Sequence, residues 1–285
     1  MIQVLSPGMF SSFQDGGRRG YRKFGVPLSG AMDSYSAGLA NNLLNNPENT
    51  VVLEITLQGP TLNFNCTAEI ALTGADLSPV INTRKAERNR VLYISKGDRL
   101  SFGKPVSGCR CYLAVKGGFE IEKILDSHSY YPGISDHALL KAGMVLNIKE
   151  FQMTSGVNTR VKINRDHFEN QEIIVQTGPE YERLTPRQRQ FIFESTFNIG
   201  PKNNRMGYQL EGTIIKMETS EMLTAVTIPG TVQLTPAGNP IVLMRDCQTT
   251  GGYPRILQLT EKGINRLAQK KANDTIRFQL EKVPQ

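Results

Sequence analysis

Three stretches of the 285-residue chain concentrate side chains able to handle a polar or anionic small molecule. The first is Gln14-Asp15-Gly16-Gly17-Arg18-Arg19-Gly20-Tyr21, running on to Ser29-Gly30-Ala31-Met32-Asp33. Its glycines permit positive φ and close backbone approach to a ligand. Ser29-Gly30, just ahead of a predicted helix, would offer backbone N–H groups to a phosphate or carboxylate. Asp15 and Asp33 suit acid–base work or hydroxyl binding, while a plain glycine turn with Asp33 as helix cap explains the same residues. The second stretch is Asn204-Arg205-Met206-Gly207-Tyr208-Gln209-Leu210. Here Arg205 offers a planar fork to a carboxylate or phosphate, or pairs structurally with Glu211 or Glu218; Gly207 permits close packing beside Tyr208. The third runs from Ile241 through Arg245-Asp246-Cys247-Gln248-Thr249-Thr250-Gly251-Gly252-Tyr253-Pro254-Arg255. Gln248, Thr250 and Tyr253 supply neutral donors, and Gly251 and Gly252 bare their amides. That lining suits a planar, amide-like ligand; a simple glycine hairpin is the alternative.

The elements that must position these stretches read as mostly strands. Short β-branched or alternating runs recur: VVLEIT, EIALTG, RVLYIS, CRCYLAV, VLNIK, EIIVQTG, TVQLTP, IVLMRD, RILQLT and TIRFQL. Gly, Pro, Asn or Asp bound most of them, as turns between strands require. Three helices are expected. One follows Ser29-Gly30, capped by Asp33 or Ser34, with Ala37, Ala40, Leu43 and Leu44 on one face and a stop at Asn46-Pro47. A second starts at Thr185-Pro186, and a third after Thr260 buries Ile264, Leu267 and Ala268. Many short strands with few covering helices predict a mainly β protein of closed or nearly closed barrels. GDRLSFG at 97–103 and NDTIRFQ at 273–279 repeat an Asp, an alternating apolar pair and a Phe. The repeat fits two similar domains joined by the linker-like FQMTSGVNT at 151–159.

Several function classes are disfavoured. The chain holds no phosphate-binding P-loop, no dinucleotide G-x-G-x-x-G, no H-E-x-x-H and no G-x-S-x-G. His128, His137 and His167 stand without a patterned nucleophile, and no metal site is expected. The net charge of +7 comes from dispersed residues, and its densest cluster, Arg84, Lys85, Arg88 and Arg90, is broken by Glu87. That distribution favours anionic metabolites or an acidic partner over nucleic acid. Cys66, Cys109, Cys111 and Cys247 lack metal-ligand spacing and read as free, partly buried thiols. No apolar run is long enough to span a bilayer, and the N-terminus does not look like a cleaved export signal, so no membrane is expected and the cytoplasm is the expected compartment. The glycosylation-like Asn65-Cys66-Thr67 and Asn273-Asp274-Thr275 then carry no weight.

Taken together, QDGGRRGYRKFGVPLSGAMD, NPENTVVLEITLQGP, YLAVKGG, NRMGYQLEG and PAGNPIVLMRDCQTTGGYPRI resemble the family called allophanate hydrolase subunit 2, or carboxyltransferase subdomains C and D. That family includes the C subunit of 5-oxoprolinase, the antagonist of the kinase inhibitor KipI, and part of urea carboxylase. The resemblance implies two cyclophilin-like β-barrel domains, over residues 1–155 and 160–285. It implies a separately encoded partner carrying subdomains A and B, a third LamB/YcsF-type subunit, and ATP-driven opening of the 5-oxoproline lactam to L-glutamate. The alternatives are a biotin-dependent carboxyltransferase component acting on urea or a related amide, and a non-enzymatic antagonist of a KipI-type inhibitor. No Met-Lys-Met-like biotin attachment segment occurs in the chain.

The resemblance further implies catalytic roles for Asp15, Arg205, Gln248 and Tyr253. Substrate contacts are implied for Gln14, Gly16, Arg18, Gly20, Ser29, Gly30, Asp33, Met206, Gly207, Tyr208, Thr249, Thr250, Gly251 and Gly252. In this reading Arg205 holds an anionic group, Gln248 and Tyr253 address the amide, and glycine-flanked N–H groups meet developing negative charge. One region departs from the family pattern. Leu125-Asp126-Ser127-His128-Ser129-Tyr130 stands where Leu-Gly-Ser-Arg-Ser-Thr is usual, and the Gly-Gly loop that should follow is replaced by Gly133-Ile134-Ser135-Asp136-His137. Gln209 also stands where Arg is common. An Arg lost at His128 would alter anion binding or leave a purely regulatory protein.

Overall fold

The computed structural model describes residues 1–149, 160–162, 165–215 and 222–282. The expected linker at 151–159 and Glu218 lie outside the described residues. The chain forms two compact units, Met1–Arg18 with Ser29–Glu169, and Arg19–Leu28 with Asn170–Gln285. Nothing in the composition of the first glycine-rich motif announces that its middle belongs to the second unit.

The first unit holds β1 (Ile2–Ser6), β2 (Phe10–Gln14), β3 (Val52–Thr56), β4 (Thr61–Phe64), β5 (Ala68–Asp76), β6 (Pro79–Ile81), β7 (Arg84–Lys85), β8 (Val91–Ile94), β9 (Arg99–Phe102), β10 (Ser107–Val115) and β11 (Val145–Leu146). They pair antiparallel into two sheets, β11-β1-β4-β9-β6-β7 and β2-β3-β10-β5-β8. Alternation along β5 and β10 decides what each sheet face meets. Ile70, Leu72, Cys111, Leu113 and Val115 enter the main core with Phe13, Phe64 and Leu100. Ala71, Tyr112 and Ala114 face the other way, onto α1 (Ser34–Leu43), where Ala37, Ala40, Leu43 and Leu44 meet them. The apolar face of α1 is the one its sequence periodicity required. A four-residue helix, α2 (Asp166–Glu169), closes this unit.

The second unit holds β12 (Glu172–Thr177), β13 (Phe197–Ile199), β14 (Gly207–Glu211), β15 (Ala225–Val226), β16 (Thr231–Leu234), β17 (Pro240–Leu243), β18 (Thr250–Gly251), β19 (Arg255–Leu259) and β20 (Thr275–Leu280). Seven of these close a barrel in the order β12-β19-β16-β17-β14-β13-β20, sealed by the parallel pair β12–β20. Ile173, Val175, Tyr208, Leu210, Val242, Leu257 and Phe278 alternate with less buried neighbours along its strands. The separate ribbon β15–β18 pairs Val226 with Thr250 and Ala225 with Gly251. Helix α3 (Pro186–Glu194) opens on a full capping box between Thr185 and Gln188, and α4 (Glu261–Leu267) opens on Thr260, whose hydroxyl accepts from Gly263 N–H. Both starts are where Thr-Pro and Thr predicted them.

The mainly β class with few covering helices is as expected. Closure, however, is unequal: the second unit is a closed barrel, while the first is two sheets over a shared core. The sequence repeat has a structural counterpart in both. Asp98 accepts from Ser95 N–H and Asp274 from Lys271 N–H, each ending a turn whose preceding residue, Gly97 or Asn273, has positive φ. β9 and β20 start directly after these turns. Among the described residues no helix is long and apolar enough to cross a membrane.

Candidate functional site

In the first unit the glycine-rich motif is tied up by its own surroundings. Asp15, at the end of β2, is half-buried. Its Oδ1 accepts from Ser127 Oγ and Ser129 Oγ, both at 2.6 Å, and from Gly17 N–H at 2.8 Å. Its Oδ2 accepts from His128 N–H at 2.7 Å. Burial pushes the Asp15 carboxyl upward, but hydrogen bonds from Ser127, Ser129, His128 and Gly17 outweigh it and hold the pKa below its usual 3.8. An ionised carboxylate with most lone pairs occupied is a poor general base. The catalytic role expected of Asp15 is therefore corrected to that of an anchor for the 127–129 loop.

Arg18 is fully buried and donates to the Ser129 carbonyl and to Ser135 Oγ, the latter at 2.7 Å. It binds the chain, not a substrate. Gln14 is buried on β2, with its amide nitrogen on Ser12 Oγ. Gly16 fits because a Cβ there would lie 2.7 Å from Asn49 Oδ1. Gln14, Asp15 and Gly16 border a cleft of about 60 Å³ with Asn41, Glu48 and Asn49. At roughly 30 Å³ per water, that space holds about two waters and no metabolite.

The expected anion cradle at Ser29-Gly30 does not fit either. Both residues have positive φ, but α1 begins only at Ser34. The N–H of Ala31 goes to the Asp15 carbonyl, that of Met32 to Glu54 Oε2, and that of Asp33 to Tyr112 Oη. Asp33 itself caps α1 by accepting from Ser36 N–H, and accepts from Ser36 Oγ at 2.6 Å. Its Oδ2 also lies 2.7 Å from His167 Nε2, a partnership the spacing of the histidines did not reveal. Tyr112 donates onward to Glu54, and burial with the nearby Glu54 and Asp33 charges pushes its phenol well up, so it stays a donor. A phosphate would find these amides occupied, and no step through ATP follows from this motif. Ser29 keeps one loose end, because its buried Oγ has no hydrogen-bond partner among the described residues.

The departing 125–137 loop is well built. Leu125 and Asp126 adopt left-handed φ, with Asp126 standing where the family pattern has Gly. Ser127, Ser129 and Ser135 are buried. The loop's hydroxyls, missed as functional groups by sequence reasoning, clamp Asp15 and Arg18; an S-x-S spacing opposite an Asp was the available signal.

The second unit brings the other two stretches together through the β14–β17 ladder, where Gly207 pairs with Leu243 and Tyr208 with Val242. Arg205 meets neither Glu211 nor an open pocket. It forms a two-point pair with Asp246, Nε to Oδ2 at 2.8 Å and Nη2 to Oδ1 at 3.0 Å, with both side chains nearly buried. The anionic group it holds is thus the chain's own, correcting its expected substrate role. Tyr208 is wholly buried, and Gly207 lies close to the Val242 carbonyl; both serve packing. Met206 is exposed, with its N–H on Asn204 Oδ1.

The Gln248–Tyr253 loop is held from its backbone, which leaves its side chains to face outward. Thr227 donates from Oγ to the Gln248 carbonyl at 2.6 Å and from N–H to the Thr249 carbonyl. Gln233 lies beneath, with Oε1 3.5 Å from Gln248 Nε2 and Nε2 donating to the Tyr253 carbonyl at 3.3 Å. A Cβ on Gly251 would lie 2.6 Å from Gln233 Nε2, so glycine is needed for this close stacking. Thr250, Gly252 and the Tyr253 side chain are exposed. Gly20 belongs to this unit, with positive φ and open space around it. Arg22, three residues before the motif's second glycine-containing turn, donates to the Thr227 carbonyl and lies beside the Cys247 thiol. Burial pushes that thiol up to about 11 even though Arg22 opposes the rise. Thr227, Gln233 and Arg22 were missed in the sequence; nothing in their spacing separates them from ordinary surface residues.

Comparison with known proteins matches this construction. Residues 24–280 match the family model described as carboxyltransferase domain, subdomain A and B. The lettering C and D expected from the resemblance is thereby corrected to A and B. The C subunit of 5-oxoprolinase from Escherichia coli strain K12 is 36% identical, the match covering 98% of this chain and 90% of that protein. The corresponding 5-oxoprolinase subunit of Haemophilus influenzae is 29% identical over 98% of this chain and 91% of its own. The crystal structure of the K. lactis urea amidolyase superposes with a TM-score of 0.87 at 28% identity, covering 97% of this chain but only 18% of that protein.

Proposed function

The chain belongs to the carboxyltransferase domain family, subdomain A and B, and from that premise we propose that it is a subunit of a cytoplasmic 5-oxoprolinase-type assembly. The assembly adds water across the lactam C–N bond of 5-oxoproline, releasing L-glutamate, and couples this to ATP hydrolysis. The observation that carries the reading is the near end-to-end match to the Escherichia coli 5-oxoprolinase subunit, which covers 90% of that relative. A fragment shared with a larger enzyme would not align so completely. Activity requires partners: a separately encoded subunit with the remaining carboxyltransferase subdomains, and a LamB/YcsF-type subunit. ATP is not placed on this chain, since the one helix start expected to take phosphate is filled.

The chemistry assigned to this chain is substrate holding in the second unit. Gln248 and Gln233 present paired amides, and the loop of Gly251 and Gly252 keeps backbone close to them. Such groups match both edges of a lactam amide. An oxygen that gains charge as the ring opens is stabilised by neutral donors of this kind.

The second reading, a biotin-dependent carboxyl transfer to urea or a related amide, is favoured by the urea amidolyase superposition. The regulatory reading loses its main support, because the loop it relied on is buried and bonded through Ser127, Ser129 and Ser135. Co-expression with the partner subunits, followed by an assay of ATP-dependent glutamate release with and without avidin, separates the three. Avidin-insensitive release is expected. Avidin-sensitive turnover would favour carboxyl transfer, and a stable complex without turnover would favour regulation.

A further inference from the structure

The arginines of the candidate motifs divide by what neutralises them. Arg205 is matched by Asp246, Arg255 by Glu180 and Arg245 by Glu261. Arg18 is sealed against Ser129 and Ser135. Arg22 differs. Among the described residues it has no acidic partner, and its contacts are a carbonyl, Thr227, and a neutral thiol, Cys247. Its Nη1 is out of reach of water and has no hydrogen-bond partner among the described residues. A guanidinium held half-buried among neutral groups pays desolvation without a counter-charge, so an anion placed beside it gains more than at a surface arginine. Thr227 fixes where that anion would sit, because it bonds both Arg22 and the Gln248 backbone.

We propose that Arg22 is the side chain that binds the carboxylate of the substrate, beside the Gln248 amide that addresses its lactam. The inference deepens the 5-oxoprolinase reading and rests on it for the identity of the ligand. It assigns the acid preference of the site to a residue on the Arg22–Phe24 turn, and not to Arg205 or to the lost arginine at position 128. A planar fork is the natural partner for a carboxylate, so lysine would replace it only in part.

The test uses the reconstituted assembly and calorimetric titration with three probes: 5-oxoproline, its neutral analogue 2-pyrrolidinone, and allophanate, which carries a carboxylate on a urea. Arg22→Gln should weaken 5-oxoproline binding by about 10- to 100-fold, the range for a hydrogen bond to a charged group, and leave 2-pyrrolidinone unaffected. Arg22→Lys should fall between, which guards against a glutamine variant that folds poorly. Equal weakening of the acid and the neutral lactam would show a merely structural role and overturn the proposal, as would unchanged binding of both. Arg22-dependent binding of allophanate without binding of 5-oxoproline would sink the 5-oxoproline reading and keep Arg22 as the carboxylate ligand. A wild-type assembly that binds neither acid overturns the assignment of Arg22.

Discussion

The two units treat polar residues in opposite ways. In the first, Asp15, Arg18 and Asp33 look functional in the sequence but are saturated by Ser127, Ser129, Ser135, Ser36 and His167. In the second, Gln248 is held mainly through its backbone, the Tyr253 ring is exposed, and Arg22 lacks a counter-ion among the described residues. The closed barrel explains part of the contrast. Its strands satisfy one another around the ring, so its loops need fewer side chains to hold them. The open pair of sheets must fasten its long 116–140 connection with carboxylate and arginine anchors. A glycine-rich motif with two aspartates and two arginines can thus be scaffold in one place and site in another, and only the partners tell.

The largest effect that would sharpen this comparison lies in the Arg205–Asp246 pair. Removing one member of a buried ion pair strands the other, at about 3–5 kcal/mol. Arg205→Ala should lower unfolding stability by that much in urea titration, whereas an Arg205 devoted to substrate would lose activity at near-normal stability. Next comes Asp15→Asn, expected to cost about 1.5–3 kcal/mol through weakened charge-assisted bonds to the 127–129 loop. It carries a pH signature. Because the folded pKa of Asp15 lies below its unfolded value, its stabilisation is full above about pH 4 and is lost as pH falls through the folded value. Thermal melts from pH 5 to pH 2 should fall less steeply for the asparagine variant; parallel slopes would refute the anchor role.

A smaller effect of opposite sign is expected at Ser29. Its φ of 56° is left-handed, and its buried hydroxyl is unpartnered among the described residues. Ser29→Gly should stabilise the protein by about 1 kcal/mol. A drop in turnover with that gain would restore Ser29 to the site and blur the contrast between units. The smallest shift is at the repeated turn, where Asn273→Gly should raise stability by a few tenths of a kcal/mol, making it resemble the Gly97 turn.

Local chemistry made much of this fold legible. Thr185-Pro186, Thr260 and Asp33 marked three helix starts because caps act within four residues. The Asp98 and Asp274 turns were visible as a repeat for the same reason. Two-residue strands such as β7, β15 and β18 left no periodicity to read. Nor could spacing reveal that Arg205 would meet Asp246 and not Glu211, since the pairing is set by the β14–β17 register. The same limit hid the assignment of Arg19–Leu28 to the second unit, and with it Arg22. Side chains that serve a site and those that brace it carry identical letters until their partners are known.

The central claim is that substrate is held by the Gln248 loop of the second unit and that the first unit's motif is scaffold. Steady-state glutamate release by the reconstituted assembly, comparing Gln248→Ala with Ser29→Gly, tests it most directly. Loss of one stabilising donor predicts about a 100- to 1000-fold fall in kcat for Gln248→Ala with an unchanged unfolding midpoint, and full turnover for Ser29→Gly. Full turnover for Gln248→Ala, with loss for Ser29→Gly, would contradict the account.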